Sequence, residues 1–275
     1  MILPLTTLIT EPFFVRAILA GVILGVIGGV IGSFIQMRGM SFYTDTISHS
    51  AFTGVALGVL FGLDVGLSSV LFAIGVGILV LEIRKRSRLS FDTILGVLFA
   101  TVAALGIFLL TFLENVRIDL FSLLFGDILA LSTLDVWVIG IAGLFSLISL
   151  AKLSDQLVLE IIHPDLAQVE GVPVRRNDTI FGIVVAIMIA LGIKLIGIIL
   201  LSGLFLIPSA TSYLIAKSLR ELITGSVFVG IVAALIGPVL SAIFDTPTGP
   251  TIVLAASALF ILALSLRPVL NPEHN

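Results

Sequence analysis

Apolar runs follow one another along the chain with only short polar breaks, most of them close to the roughly 20 residues a helix needs to cross a hydrocarbon core. The runs are Phe14–Ile35, Thr44–Leu63, Val65–Ile83, Ile94–Leu113, Leu134–Leu150, Ile180–Leu201, Gly203–Ala216, Leu222–Phe244 and Pro250–Leu266. They predict an all-α fold, a polytopic transmembrane helix bundle of about eight or nine spans. A shorter run, Leu120–Leu131, is interrupted by Gly126 and Asp127. At roughly a dozen residues it cannot cross alone, so an interfacial or re-entrant position is expected. Met1–Phe13 has no Lys or Arg ahead of the first run. It lacks the charged start of a cleaved signal peptide, and the first span is expected to stay in the mature protein.

Composition agrees with that pattern. Hydrophobic residues make up 59% of the 275 positions and charged residues only 11%, against roughly 25% charged in a soluble domain. The spans leave no room for a separate soluble domain, so a single transmembrane domain, 1–275, is expected, with one long cytoplasmic loop over 152–179. The chain has no cysteine, which excludes disulfides, thiolate metal sites and lipid-modified cysteines.

The placement of the charges orients the bundle. Lys and Arg concentrate in cytoplasmic loops. When the spans alternate, Arg38, Arg84, Lys85, Arg86, Arg88, Lys152, Arg175, Arg176, Lys217, Arg220 and Arg267 all fall on one face. Arg16 and Arg117 fall on the other, with Glu114, Asp119, Asp135 and Asp245. The basic face is therefore read as cytoplasmic, with the C-terminus inside and, for an odd number of spans, the N-terminus outside. Glycines recur every four residues at Gly21, Gly25 and Gly29 and again at Gly54, Gly58, Gly62 and Gly66. That spacing lets helix backbones approach closely in lipid, and packing within the chain is the expected use.

Ionisable groups inside a membrane are costly and usually face a cavity or a partner, which singles out Asp45, His49 and Lys194. Asp45 and His49 stand four apart, on one face of a helix. A carboxylate and an imidazole are donors for a divalent transition metal such as zinc or manganese. The alternative is an Asp–His hydrogen bond that only fixes packing. Two ligands make no tight site, whereas a homodimer would bring two Asp and two His together. Snorkelling to the headgroups accounts for Lys194. His163, in the long loop, and His274, in the tail, are expected to be solvated or to face a partner.

No G-x-x-x-x-G-K-[ST] phosphate loop, H-E-x-x-H run or G-x-S-x-G elbow occurs, so the chain is not expected to be an enzyme, and energy for pumping must come from an ion gradient or another subunit. Within the long loop, Pro164 suits the first turn of a helix, Asp165 its positive end, and Gly171 its termination. A short exposed helix bounded in this way could project into a partner; a solvated loop is the alternative.

Several stretches match a known family in order along nearly the whole chain: Met37–Ser50, containing Ser41-Phe-Tyr-Thr-Asp45-Thr-Ile-Ser-His49; Asp92–Leu98; Asn115–Leu120; Leu124–Ala130; His163–Val172; Gly203–Thr211; and Phe244–Thr251. In these the chain resembles the permeases of bacterial ABC importers for zinc, manganese and iron, the ABC-3 family, and most of all its zinc-uptake branch. The resemblance implies a homodimeric inner-membrane permease. It would carry two cytoplasmic ATP-binding subunits and receive metal from an extracytoplasmic metal-binding protein. It places Asp45 and His49 on the metal route, and makes His163, Pro164, Asp165, Glu170 and Gly171 part of a coupling helix on the ATPase. The metal would be transported zinc or manganese, with no tightly bound cofactor. His163 departs from the family pattern, where another polar residue is common. A gradient-driven secondary transporter, the alternative from another class, would show related halves with broken helices, and no such symmetry is visible. A membrane-embedded transferase would need acidic metal–phosphate clusters on loops, and these are absent from the sequence.

Overall fold

The computed structural model describes residues 11–112 and 131–270, which form ten helices and no strand. In chain order these are α1 Pro12–Met37, α2 Ser41–Phe61, α3 Val65–Arg86, α4 Phe91–Leu110, α5 Thr133–Ile162, α6 Pro164–Val169, α7 Val174–Ile196, α8 Ile198–Tyr213, α9 Leu219–Phe244 and α10 Thr248–Leu270. Among the described residues seven helices are long and apolar enough to cross a membrane: α1, α3, α4, α5, α7, α9 and α10. This corrects the expected eight or nine, for two physical reasons. Helix α2 has the length, but Ser41–Ser50 is dominated by hydroxyls, Asp45 and His49. Helix α8 has 16 residues, about 24 Å, short of a core about 30 Å thick. It is cut from α7 by Gly197, whose φ of 78° no side-chain-bearing residue adopts readily. The apolar runs Ile180–Leu201 and Gly203–Ala216 hide that break.

Helix α5 runs 30 residues, well past the expected end at Leu150. Its later turns continue through Lys152 and Asp155, so most of 152–179 is helical. The stretch Leu120–Leu131, apart from its last residue, and His274 lie outside the described residues.

The chain divides into two compact units. The first comprises Met1–Gln36, Leu120–Gly143 and Lys194–Asn275. In it α8, α9 and α10 pack on one another, and the four-residue glycine spacing of α1 is used for close approach. A Cβ at Gly25 would stand 2.7 Å from the Gly230 carbonyl oxygen, and one at Gly29 would stand 2.6 Å from the Val227 nitrogen, so α9 crosses α1 almost backbone to backbone. Ser33, one turn on, donates to Ser226 Oγ at 3.1 Å and ties the crossing. Gly32 meets α8, where a Cβ would overlap the Phe205 carbonyl oxygen. Gly32→Val is therefore expected to reduce thermal stability in detergent by about 1–3 kcal/mol or more, as overpacking does. Gly75→Val on exposed α3, with nothing within 4 Å of the new carbon, should be neutral. Equal melting of the two variants would refute the close crossing.

The second unit comprises Met37–Asp119 and Leu144–Ile193, built around α2 packed on α3 and α4. Gly54 and Gly58 bring α2 onto Ser68 of α3, at 2.8 and 3.1 Å for an added Cβ. Gly62, next in the same spacing, serves differently: at φ 65° it is the left-handed cap that ends α2. Helices α3 and α4 open on side-chain caps, Asp64 accepting from the Leu67 N–H and Ser90 from the Thr93 N–H.

Candidate functional site

Helix α2 opens on a run rich in hydroxyls, yet Tyr43, Thr44, Thr46, Ile47, Ser48 and Ser50 are all buried. The hydroxyls of Thr44, Thr46, Ser50 and Thr53 donate to backbone carbonyls. Thr46 donates to the Leu95 carbonyl at 3.3 Å and Thr53 to the Val102 carbonyl at 2.6 Å, two rungs one heptad apart that lock α2 to α4. Tyr43 donates to the Gly182 carbonyl at 3.2 Å. Room for its ring comes from glycines on α3 and α7: a Cβ at Gly77 or Gly182 would lie 2.7 or 3.0 Å from the phenol oxygen.

One stripe of α2 escapes this wrapping. Phe42 is exposed, and Asp45 and His49 are half-buried on the same side. The His49 and Phe99 rings meet in a T-shaped pair with centroids 4.7 Å apart and planes at 79°, which orients the imidazole. The structure thus puts Asp45 and His49 on one helix face with access from outside the unit. Among the described residues no third His, Asp or Glu joins them to make a metal-binding group.

The other candidates gather at α6. Pro164 is its first residue, Asp165 sits in its first turn, and His163 precedes it at φ −136° without a side-chain cap. The helix ends in a Schellman motif: Val172 N–H bonds the Ala167 carbonyl at 2.9 Å, Gly171 N–H bonds the Gln168 carbonyl at 3.1 Å, and Gly171 takes φ 71°. Only Ala167 is buried; His163, Leu166, Glu170 and Gly171 are exposed, and Val169 is 84% exposed. No hydrogen bond or ion pair among the described residues joins α6 to Asp45 or His49. Lys194 lies near the end of α7, its side chain outside the described residues.

Sequence reasoning missed a third group. Arg38, in the turn before α2, donates to Glu160 Oε2 at 2.8 Å and to Asp178 Oδ1, and its guanidinium lies over the Phe181 ring at 5.1 Å. Nothing in the sequence singles out Glu160 and Asp178 from the other acids interspersed on the basic face, such as Asp155, Asp165 and Glu170.

Seven helices of this length and apolarity among the described residues define a multi-pass membrane protein, and one further helix is rich in hydroxyls and bears an ionisable pair. The protein's family follows from similarity along the whole chain. The model of the ABC 3 transport family matches residues 10–267, and the chain belongs to that family. It is 33% identical to the high-affinity zinc uptake system membrane protein ZnuB of Haemophilus influenzae, over 91% of this chain and 96% of that one. To the manganese transport system membrane protein MntC of Halalkalibacterium halodurans it is 32% identical, over 95% of this chain and 89% of that one. Among solved structures it is similar to a chain of PsaBC from Streptococcus pneumoniae in complex with Fab, with a TM-score of 0.82 and 30% identity, covering 94% and 93% of the two chains.

Proposed function

We propose that this chain is the permease subunit of an ATP-driven importer of divalent transition-metal ions, zinc first and manganese or iron as the alternative. The observation that carries the reading is the Asp45–His49 pair on a partly uncovered stripe of the hydroxyl-rich helix α2. An ionised carboxylate in lipid is unfavourable by roughly 2.5–3.5 kcal/mol on insertion scales, so such a stripe belongs against a cavity or a partner. One chain brings two donors; a second copy would bring two more, and zinc takes four. A transport site must also release its ion, and two half-sites that part on opening would do so. The coupling helix is α6, docked through Val169, Leu166 and the Glu170–Gly171 end onto a separate ATP-binding subunit, since this chain carries no phosphate loop. The cargo would arrive from an extracytoplasmic metal-binding protein. In this reading the chain lies in the bacterial inner membrane with its basic face and C-terminus in the cytoplasm.

The zinc and manganese relatives are similar in identity, at 33% and 32%, so they do not decide the cargo. Nor do the donors, since the His49 imidazole suits zinc and the Asp45 carboxylate suits both metals; zinc is taken first on the imidazole. Uptake of radioactive zinc and manganese should be measured in cells with and without the gene, each metal competed by the other. Zinc uptake that depends on the gene and resists excess manganese is the expected result. Gene-dependent manganese uptake insensitive to zinc would reassign the cargo, and no gene-dependent uptake of either would refute the importer.

A further inference from the structure

Glu160 is the hub of a buried network that lies apart from the Asp45–His49 pair. Its Oε2 accepts from Arg38 at 2.8 Å and its Oε1 from Asn177 Nδ2 at 2.7 Å, and the same Nδ2 donates to Gln156 at 2.8 Å. Asp178 holds the other arm of the Arg38 fork. The Arg38 and Glu160 side chains are 8% and 6% exposed, and Asn177 is fully buried. Three segments distant in sequence therefore meet in one charge-assisted cluster.

Their positions along the chain give the cluster its meaning. Gln156 and Glu160 lie on the last turns of α5, and Asn177 and Asp178 on the first turns of α7. These are the two helices that bracket α6. Arg38 stands three residues before α2 begins, and Asp45 lies in that helix's second turn. A planar guanidinium with two arms on two carboxylates and its face on an aromatic ring is held in orientation as well as position, which a lysine ammonium is not. A displacement of α6 would move the ends of α5 and α7, and the fork would convey it to the start of the helix that carries Asp45 and His49.

We propose that Arg38 is a positioning residue that couples α6 to α2, so that movement imposed on α6 by the ATP-binding subunit resets the Asp45–His49 stripe. This inference rests on the importer reading. Surface charge is the bland role for an arginine on a basic face, and burial at 8% exposure between two acids excludes it.

The test uses the full complex in proteoliposomes: this chain, its ATP-binding subunits and the zinc-loaded binding protein, with zinc imported and ATP hydrolysed measured together. Arg38→Met is expected to assemble and to hydrolyse ATP, but with the zinc-to-ATP ratio about tenfold lower, the scale of a coupling network losing a member. Arg38→Lys, which keeps the charge and loses the fork, should fall between Met and wild type. Glu160→Gln keeps shape and an acceptor for Arg38, and serves where Arg38→Met does not assemble; its ratio should also drop. A wild-type ratio in either assembled variant overturns the proposal. Loss of assembly in both assigns the network to folding and overturns it as well. A wild-type complex that imports neither zinc nor manganese overturns the importer reading instead, a result distinguishable from these.

Discussion

Zinc uptake at limiting external zinc is expected to fall by roughly 10–100-fold in Asp45→Asn and in His49→Ala, since losing even an outer-shell partner of a metal ligand costs that much. The amount of protein in the membrane should not fall with it. Asn keeps the shape of Asp and removes a charge that is unfavourable in lipid, so insertion of the variant is if anything easier. Neither does His49→Ala open a large hole: the side chain is half-buried, and the edge-to-face contact with Phe99 accounts for about 0.5–1.5 kcal/mol. Uptake lost with protein retained separates a metal-path role from a packing role. Full uptake in both variants would remove Asp45 and His49 from the path, while the family and fold would stand.

The Asp45–His49 pair was legible in the sequence because a four-residue spacing survives any packing arrangement: if the segment is helical, the two share a face. The same holds for the ends of α6, since Pro164 and Gly171 act through their own backbone preferences. Features that depend on which segments meet were not legible. Arg38 reads as one more cytoplasmic positive charge until α5 and α7 fold against it; its partners lie 122 and 140 positions away. Nor does an apolar run disclose the break at Gly197, because glycine is common inside spanning helices and only its positive φ marks it as a terminus. Charge misled at α5, where Lys152 and Asp155 look like the start of a loop. Once a helix leaves the hydrocarbon, charged side chains on its surface favour its continuation in water as readily as its end.

Gly171 offers the sharpest test of the coupling role proposed for α6, separate from the stability of the bundle. At φ 71° it closes α6, and a Cβ there would have nothing within 4 Å, so sterics with the rest of the protein forbid no substitution. Only the backbone objects. A side-chain-bearing residue in the left-handed region costs roughly 1–2 kcal/mol, least for Asn, whose short polar side chain tolerates it, and more for a β-branched residue. Gly171→Val should therefore undo the Schellman closure at Val172 and Ala167 and re-aim the exposed end of α6, while Gly171→Asn should preserve both. Because α6 buries only Ala167, thermal stability of the purified protein should be nearly unchanged in either variant. Uptake, by contrast, is expected to be largely lost in Gly171→Val and near wild type in Gly171→Asn, with ATP hydrolysis no longer tied to transport in the former. If Val and Asn variants transport alike, the left-handed cap is irrelevant to coupling and α6 is a solvated connection. If the Val variant unfolds the bundle, α6 is instead part of the scaffold.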